Sequence, residues 1–371
     1  MSRPQLDQQS PSSTRHGSVP PVDVSRVPWI TEKDRSTALT PMERLDAELC
    51  DFVEWIRPSR ESHRARMKVV RRFEGIVQSI WATSKVEVFG SLATGLYLPD
   101  GDLDIVVSLP SISASSTEAI LEEIAHNVLS RGLADEESIE ILHSARVPLL
   151  KFKTLAADSA SSFKLDVSLE HARDGPLGAT ACLAILQGLD TIGTAKSDRA
   201  KGLIFVVKTL LQAKDLASSR EGGLGGMSIS CLVVSFLQHD RRESKLCSPG
   251  SDLLAFLEFA TLFDYERYAI CVAGKGSIRP KATQRWTFDS KPRRVCIQHP
   301  TDLGRNLSCG AYGTHELQRA FGETHGATKS RLESEEPNEA GQSFLAEIFS
   351  RAYDPKADLD APFYDAESSS I

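Results

Sequence analysis

Residues 89–107 read FGSLATGLYLPDGDLDIVV, and the fold follows from how this stretch is read. Just ahead of it, Val86-Glu87-Val88-Phe89 alternates like a strand, and Gly90-Ser91 breaks the pattern. The turn Pro99-Asp100-Gly101 then leads into a second strand, Leu103 to Val107. Successive strand side chains point to opposite faces, so Asp102 and Asp104 project the same way from the head of that strand. Two neighbouring carboxylates repel, and the pKa of one rises unless a cation sits between them. Mg²⁺ takes such carboxylates together with phosphate oxygens. The competing reading is a surface turn, because Pro-Asp-Gly-Asp is also ordinary turn chemistry. Gly90-Ser91 favours the metal, since a small residue with free backbone N–H groups lets phosphates approach closely.

A third acid interrupts a later alternating run, Phe163-Lys164-Leu165-Asp166-Val167-Ser168-Leu169. Asp166 shares its face with Lys164 and Ser168 and needs either a cation or hydrogen-bond donors there. Pairing with Lys164 is the structural alternative to a metal. Further strand-like runs lie at Ile139–Leu142 and Val147–Phe152, with a helical stretch at Thr117–Leu129. Strands packed with helices give an α/β or α+β layer domain.

Working outward, Glu43–Ile56 carries apolar residues at Leu45, Leu49, Phe52, Val53 and Ile56, a helical stripe. Pro58 ends it, and Ser59 caps a second helix running towards Ile80. Beyond Leu177 helical spacing dominates, at Ala179–Leu189, Ala200–Leu216, Ser228–Leu237 and Leu253–Phe263. Residues 275–300 read as irregular and Thr314–Phe321 as a last short helix. The first 40 residues, rich in Ser, Pro, Gln and Arg, read as disordered apart from the apolar island Val27–Ile30, which has the makings of a docking element. An acidic tail follows residue 325, with one candidate helix at Ser343–Tyr353. Removal of 1–25 and 331–371 is expected to leave stability nearly unchanged.

The net charge of −7 is unevenly placed. Residues 331–371 hold ten acids and three bases, which leaves 1–330 with forty of each sign. A neutral body lacks the excess positive charge that gives strong unaided affinity for nucleic acid. Seven cysteines, scattered and never in a C-x-x-C pair, argue against a disulfide framework and a zinc finger. No run approaches the roughly 18 apolar residues of a membrane span, and the N-terminus lacks a secretory core. A soluble intracellular protein is expected.

The spacing of Gly90-Ser91, Asp102-x-Asp104 and a later Asp166 resembles the nucleotidyltransferase signature of the DNA polymerase β superfamily. More narrowly, the chain resembles the nuclear-surveillance, TRAMP-type poly(A) polymerases. The segments Asp51–Arg60, Val88–Ser91, Leu96–Pro99, Asp166–Ser168 and Gly222–Ile229 carry that likeness, with Gln298-His299-Pro300 and Asn306–Gly310 as its nucleotide recognition motif. The likeness runs from about Trp29 to Phe321.

The resemblance implies an α+β fold: a polymerase β-like catalytic domain with a mixed sheet over 59–175, and a mainly helical, poly(A)-polymerase-associated domain formed by the helix in 41–58 with 176–325. Residues 1–40 and 326–371 would flank them as disordered segments. It implies template-independent addition of adenylates from ATP to RNA 3′ ends, with Mg²⁺ or Mn²⁺ held by Asp102, Asp104 and Asp166. Gly90, Ser91 and Lys208 would meet the phosphates; Asp174, Met227, Ser228 and Asn306 would meet the nucleoside. Lys208 lies in a mostly apolar helix, where a snorkelling surface lysine is the alternative. The resemblance also implies a zinc-knuckle RNA-binding protein and an RNA helicase as partners, and a nuclear or nucleolar location. Four positions depart from the family: Met227 replaces an aromatic, Asp174 an asparagine, His299 an aspartate and Arg305 an asparagine. A terminal uridylyltransferase, and a weakly active scaffold of a surveillance complex, remain as competing readings. A small-molecule nucleotidyltransferase is disfavoured by the long helical domain.

Overall fold

The computed structural model describes residues 27–30, 39–109, 116–143, 148–155, 162–169, 174–189, 196–243, 246–287, 293–334 and 343–349. Helix α1 (Pro41–Ile56) opens with a capping box, Thr40 exchanging hydrogen bonds with Glu43. Ser59 caps α2 (Arg60–Ile80) by accepting from the Ser62 amide. There follow β1 (Lys85–Val88), the short α3 (Gly90–Thr94), β2 (Leu103–Ser108), α4 (Thr117–Ser130), β3 (Glu140–Leu142), β4 (Leu149–Lys153) and β5 (Lys164–Leu169). The five strands form one mixed sheet in the order β1-β2-β5-β4-β3, with β2 and β5 parallel. Leu103, Ile105 and Val107 of β2 and Leu165 and Val167 of β5 point to one face. There they pack with Val69, Phe73 and Val77 of α2 and Leu121 and Ile124 of α4.

The second unit contains α5 (Asp174–Gly188), α6 (Lys196–Ala213), α7 (Gly226–His239), α8 (Pro249–Leu262), the hairpin β6 (Tyr268–Cys271) and β7 (Ser277–Pro280), and α9 (Thr314–Ser334). Its core also takes in α1, so the chain passes between the two cores at Arg57-Pro58-Ser59. Arg199 at the start of α6 and Arg242 beyond α7 hold Asp240 and Asp252, tying α6, α7 and α8 together through a part-buried ion-pair network. The protein is an α+β molecule with a polymerase β-like sheet domain and a mainly helical domain.

Two expectations need correcting. Residues 275–300 are not simply irregular, because Ser277–Pro280 pairs antiparallel with Tyr268–Cys271. The tail expected from residue 326 begins later: α9 continues to Ser334, and α10 (Phe344–Ile348) returns to α1. Phe344, Leu345, Ile348 and Phe349 are buried, and Phe349 packs edge-on to Trp29 and tilted against Phe52. Glu48 organises this contact, accepting from the amides of Phe344 and Leu345, the Ser343 hydroxyl and Trp29 Nε1. Residues 343–349 therefore belong to the helical core, which the acidic residues flanking them in sequence conceal. Residues 1–26 and 350–371 lie outside the described residues.

Among the described residues no helix is long and apolar enough to cross a membrane. The seven cysteines are free; Cys182, Cys231, Cys271 and Cys296 are buried.

Candidate active site

The parallel register of β2 and β5 sets Asp104 directly opposite Asp166. With core residues on either side facing α2 and α4, both carboxylates project from the opposite face, where they line a cleft of about 840 Å³. Asp102, at the head of β2, joins them there. Burial, and then repulsion from Asp166 and Asp102, pushes Asp104 up to about 7. Asp102 is raised by burial and by Asp166, with Lys151 and Lys164 opposing. Three carboxylates converging in a partly desolvated cleft fit a divalent cation, which removes the repulsion that raises their pKa. Gly90 shows the same fit from the other side. At φ +61° its missing side chain leaves room for the Asp104 carboxylate, which a Cβ at this position would overlap.

The turn before Asp102 is gripped by both domains. Arg66 of α2 lies between the rings of Tyr97 and Phe163, 4.6 and 4.8 Å from their centroids, and donates to the Pro99 carbonyl. Leu96 and Leu98, on either side of Tyr97, are buried in the helical core instead. From α6, Lys208 donates to the Leu96 carbonyl at 2.5 Å and Gln212 donates to Asp100. Burial brings Lys208 down to about 8, with electrostatic interactions with Cys182 and Asp104 opposing. Lys208 is thus a buried cleft residue, not a snorkelling surface lysine.

The structure brings Gly90, Ser91, Asp102, Asp104, Asp166, Lys208, Met227 and Ser228 together around one cleft. Asn306 does not face it. Its amide oxygen accepts from Ile297 N, Ser308 N and Ser308 Oγ, so the buried side chain braces the loop it sits in. Its neighbours Arg305 and Leu307, with His299, line the cleft wall in its place. Asp174 is the first residue of α5, and its side chain lies outside the described residues.

The partner of Asp166 is also a correction. Lys151 on β4, and not Lys164, reaches it, with Nζ 2.6 and 2.5 Å from the two carboxylate oxygens. The alternation of Leu150, Lys151 and Phe152 signals that Lys151 faces away from the core. Only the strand order makes it the neighbour of Asp166. A second cluster, Asp240, Cys247 and Asp252, also draws potential metal ligands together. Its two carboxylates are already matched by Arg199 and Arg242. Although burial opposes it, the Arg242 and Arg199 hydrogen bonds hold Asp240 down to about 2.

Comparison with known proteins places this geometry. Residues 45–173 match the family described as poly(A) RNA polymerase, mitochondrial-like, central palm domain, and residues 250–305 match the Cid1 family of poly(A) polymerases. Poly(A) RNA polymerase protein 2 of Saccharomyces cerevisiae is 32% identical over 302 residues, 79% of this chain and 49% of the yeast protein. The chain thus spans about half the length of that relative. Trf4-2 of Drosophila melanogaster, named as an inactive poly(A) RNA polymerase, is 28% identical over 286 residues, 75% of this chain and 66% of the fly protein. The solved polymerase core of TRAMP, an RNA surveillance complex, superposes with a TM-score of 0.73 at 28% identity, covering 87% of this chain and 99% of that one. With both family matches, a shared fold and the carboxylates set by the β2–β5 register, the chain belongs to the poly(A) RNA polymerase family of the DNA polymerase β nucleotidyltransferase superfamily.

Proposed function

We propose that this chain is a template-independent polymerase that adds adenylates from ATP to RNA 3′ ends, acting in nuclear RNA surveillance. The observation that carries the reading is the direct opposition of Asp104 and Asp166, with Asp102 beside them, at a cleft walled by α6 and α7. Membership of the family does not decide activity, since one relative is named as inactive; the intact carboxylates favour an active chain.

Asp102, Asp104 and Asp166 would hold the divalent metal ions. When bound, such ions lower the pKa of the RNA 3′-hydroxyl and neutralise the triphosphate and leaving pyrophosphate. Gly90 lets the backbone after β1 lie against Asp104, and Ser91 offers a hydroxyl to the phosphates from the same edge of the cleft. Lys208 is a buried ammonium whose carbonyl partner, Leu96, is a neutral group, so a triphosphate oxygen is a stronger acceptor for it. Met227, at the start of α7, would lie against the base with a polarizable thioether in place of a ring. Positioning and electrostatics then supply most of the rate. By analogy with the surveillance enzymes, a zinc-knuckle RNA-binding subunit and an RNA helicase would be its partners and the nucleus or nucleolus its site of action.

One observation favours a second reading, uridylyl transfer. Arg305 and His299 line the cleft wall. A guanidinium only donates hydrogen bonds, which suits the two carbonyl groups of uracil. Extension of a labelled RNA with each of the four triphosphates separately, in Mg²⁺ and in EDTA, tests both. Mg²⁺-dependent extension with ATP above the others is expected. Preference for UTP would replace adenylyl by uridylyl transfer, and no extension with any triphosphate would leave the scaffold reading.

A further inference from the structure

The sheet face that carries the three acids continues beyond them as a basic surface. On β4, Leu150 and Phe152 are buried against the helices, so Lys151 and Lys153 point to the opposite face. On β5, Leu165 and Val167 are buried, and Lys164 and Asp166 share that same opposite face. The antiparallel register sets Lys151 opposite Asp166 and Lys153 directly opposite Lys164. Two like charges directly opposite each other on neighbouring strands are unfavourable, and this chain keeps them.

Lys151 is matched by Asp166. Neither Lys153 nor Lys164 makes an ion pair among the described residues, and both are exposed. Glu140 on β3 stands opposite Lys151 and is exposed too. Lys164 lines the cleft and acts electrostatically on Asp102. A polyanion running past the acids would relieve the Lys153–Lys164 repulsion.

The order of strands says which polyanion. Gly90 and Ser91 follow β1, on the β1–β2 side of Asp104, and Lys208 stands over the turn that leads into β2. The Lys153–Lys164 pair lies on the β5–β4 side, past Asp166. Two phosphate-bearing reactants meet at the acids in a polymerase of this kind. With one seated towards Gly90, Ser91 and Lys208, the other approaches over β5 and β4. We propose that Lys153 and Lys164 form a phosphate-binding shelf for the 3′-terminal phosphodiesters of the RNA strand. The proposal rests on the polymerase reading above and assigns the path of its second substrate.

The test uses the full chain and the double variant Lys153→Gln/Lys164→Gln, with both single variants and with Lys329→Glu, an exposed change of equal total charge on α9, as control. Binding of a fluorescent oligoadenylate is followed by anisotropy in EDTA across a salt series, so no turnover is needed. The double variant should bind about ten-fold more weakly at low salt, and its log–log salt slope should be shallower by about 1.4, two contacts at about 0.7 each. In steady-state extension the KM for RNA should rise in parallel, and for the single variant Lys153→Gln, outside the cleft lining, the KM for ATP and kcat should stay within about two-fold of wild type. The control should match wild type in binding and extension, and the thermal melts should coincide.

An unchanged salt slope and RNA KM in the double variant would overturn the shelf while leaving the polymerase reading intact. A rise in the ATP KM with unchanged RNA binding would overturn it too, by placing the lysines under the triphosphate. A loss confined to neither substrate, shared equally by Lys329→Glu, would show general charge and reject a site. A wild-type chain that binds RNA through this slope yet extends nothing would uphold the shelf and reject the polymerase.

Discussion

Asp104 is the residue whose environment matters most for behaviour in solution. Burial, with Asp166 and Asp102 nearby, raises its carboxyl to about 7, whereas an unfolded chain holds it near 4. Its protonated form therefore contributes stability that is fully present below the unfolded pKa and is lost as pH rises towards 7, an effect on the order of a few kcal/mol. In EDTA the melting temperature should fall between about pH 4 and pH 7 from this group. Added Mg²⁺ should raise it more at pH 8 than at pH 6, because the cation favours the ionised carboxylates. Scanning fluorimetry across that range checks both; equal Mg²⁺ stabilisation at the two pH values would count against a metal at Asp104. Asp104→Asn removes the buried charge, so the metal-free variant should melt at or above wild type at pH 8 while RNA extension falls by orders of magnitude. At Met227, an aromatic replacement should stack on a base more strongly by about 1 kcal/mol. Met227→Tyr is expected to lower the KM for ATP several-fold, and an unchanged KM for every triphosphate would make Met227 part of the core alone.

Elements show where local sequence determines structure and where it does not. Ser59 and the apolar positions of α2 fix that helix from within, and the alternation of β2 fixes which face Asp104 takes. These were legible because they depend on neighbours in sequence. The pairing of β5 with β2 on one side and β4 on the other depends on contacts far along the chain, so Lys151 could be given a face but not a partner. The β6–β7 hairpin escaped because four residues give little alternation and Ser277–Pro280 is polar and ends in proline. Asn306 looked like a nucleotide ligand from its motif, yet its three accepted bonds all lie within the 295–308 loop. The helix α10 was visible as a candidate, but not that Glu48, 296 residues before Phe344, would cap and anchor it. Glu48→Ala leaves four donors without their acceptor, which costs roughly 1–3 kcal/mol each where the donor stays buried. The variant should melt several degrees lower. Ending the chain at Ser334 should do the same, by removing Phe344–Phe349 from the core.

At the scale of the whole molecule, charge balance and RNA affinity are linked. Residues 1–330 are neutral overall, so the RNA contacts available are few, and the weak affinity they give should fade further as salt rises. The isolated chain is expected to extend RNA slowly and distributively, and a zinc-knuckle RNA-binding partner should stimulate it. Product-length distributions at rising salt, with and without such a partner, check this; processive extension by the chain alone in physiological salt would contradict it.

The turn from Leu96 to Gly101 also has a mechanical consequence. Leu96 and Leu98 are seated in one core, Tyr97 in the other, and Asp102 follows at once. Rotation of one domain against the other would therefore pull on the backbone that aims the Asp102 carboxylate. Cleft width and the setting of a cation held by Asp102 would then be a single variable, read out at one end by a nucleotide and at the other by the cation. Leu98→Ala, an apolar change in the turn itself, should then weaken Mn²⁺ binding measured by electron paramagnetic resonance, and nucleotide should restore it: the turn would work as a lever whose load is the aim of Asp102.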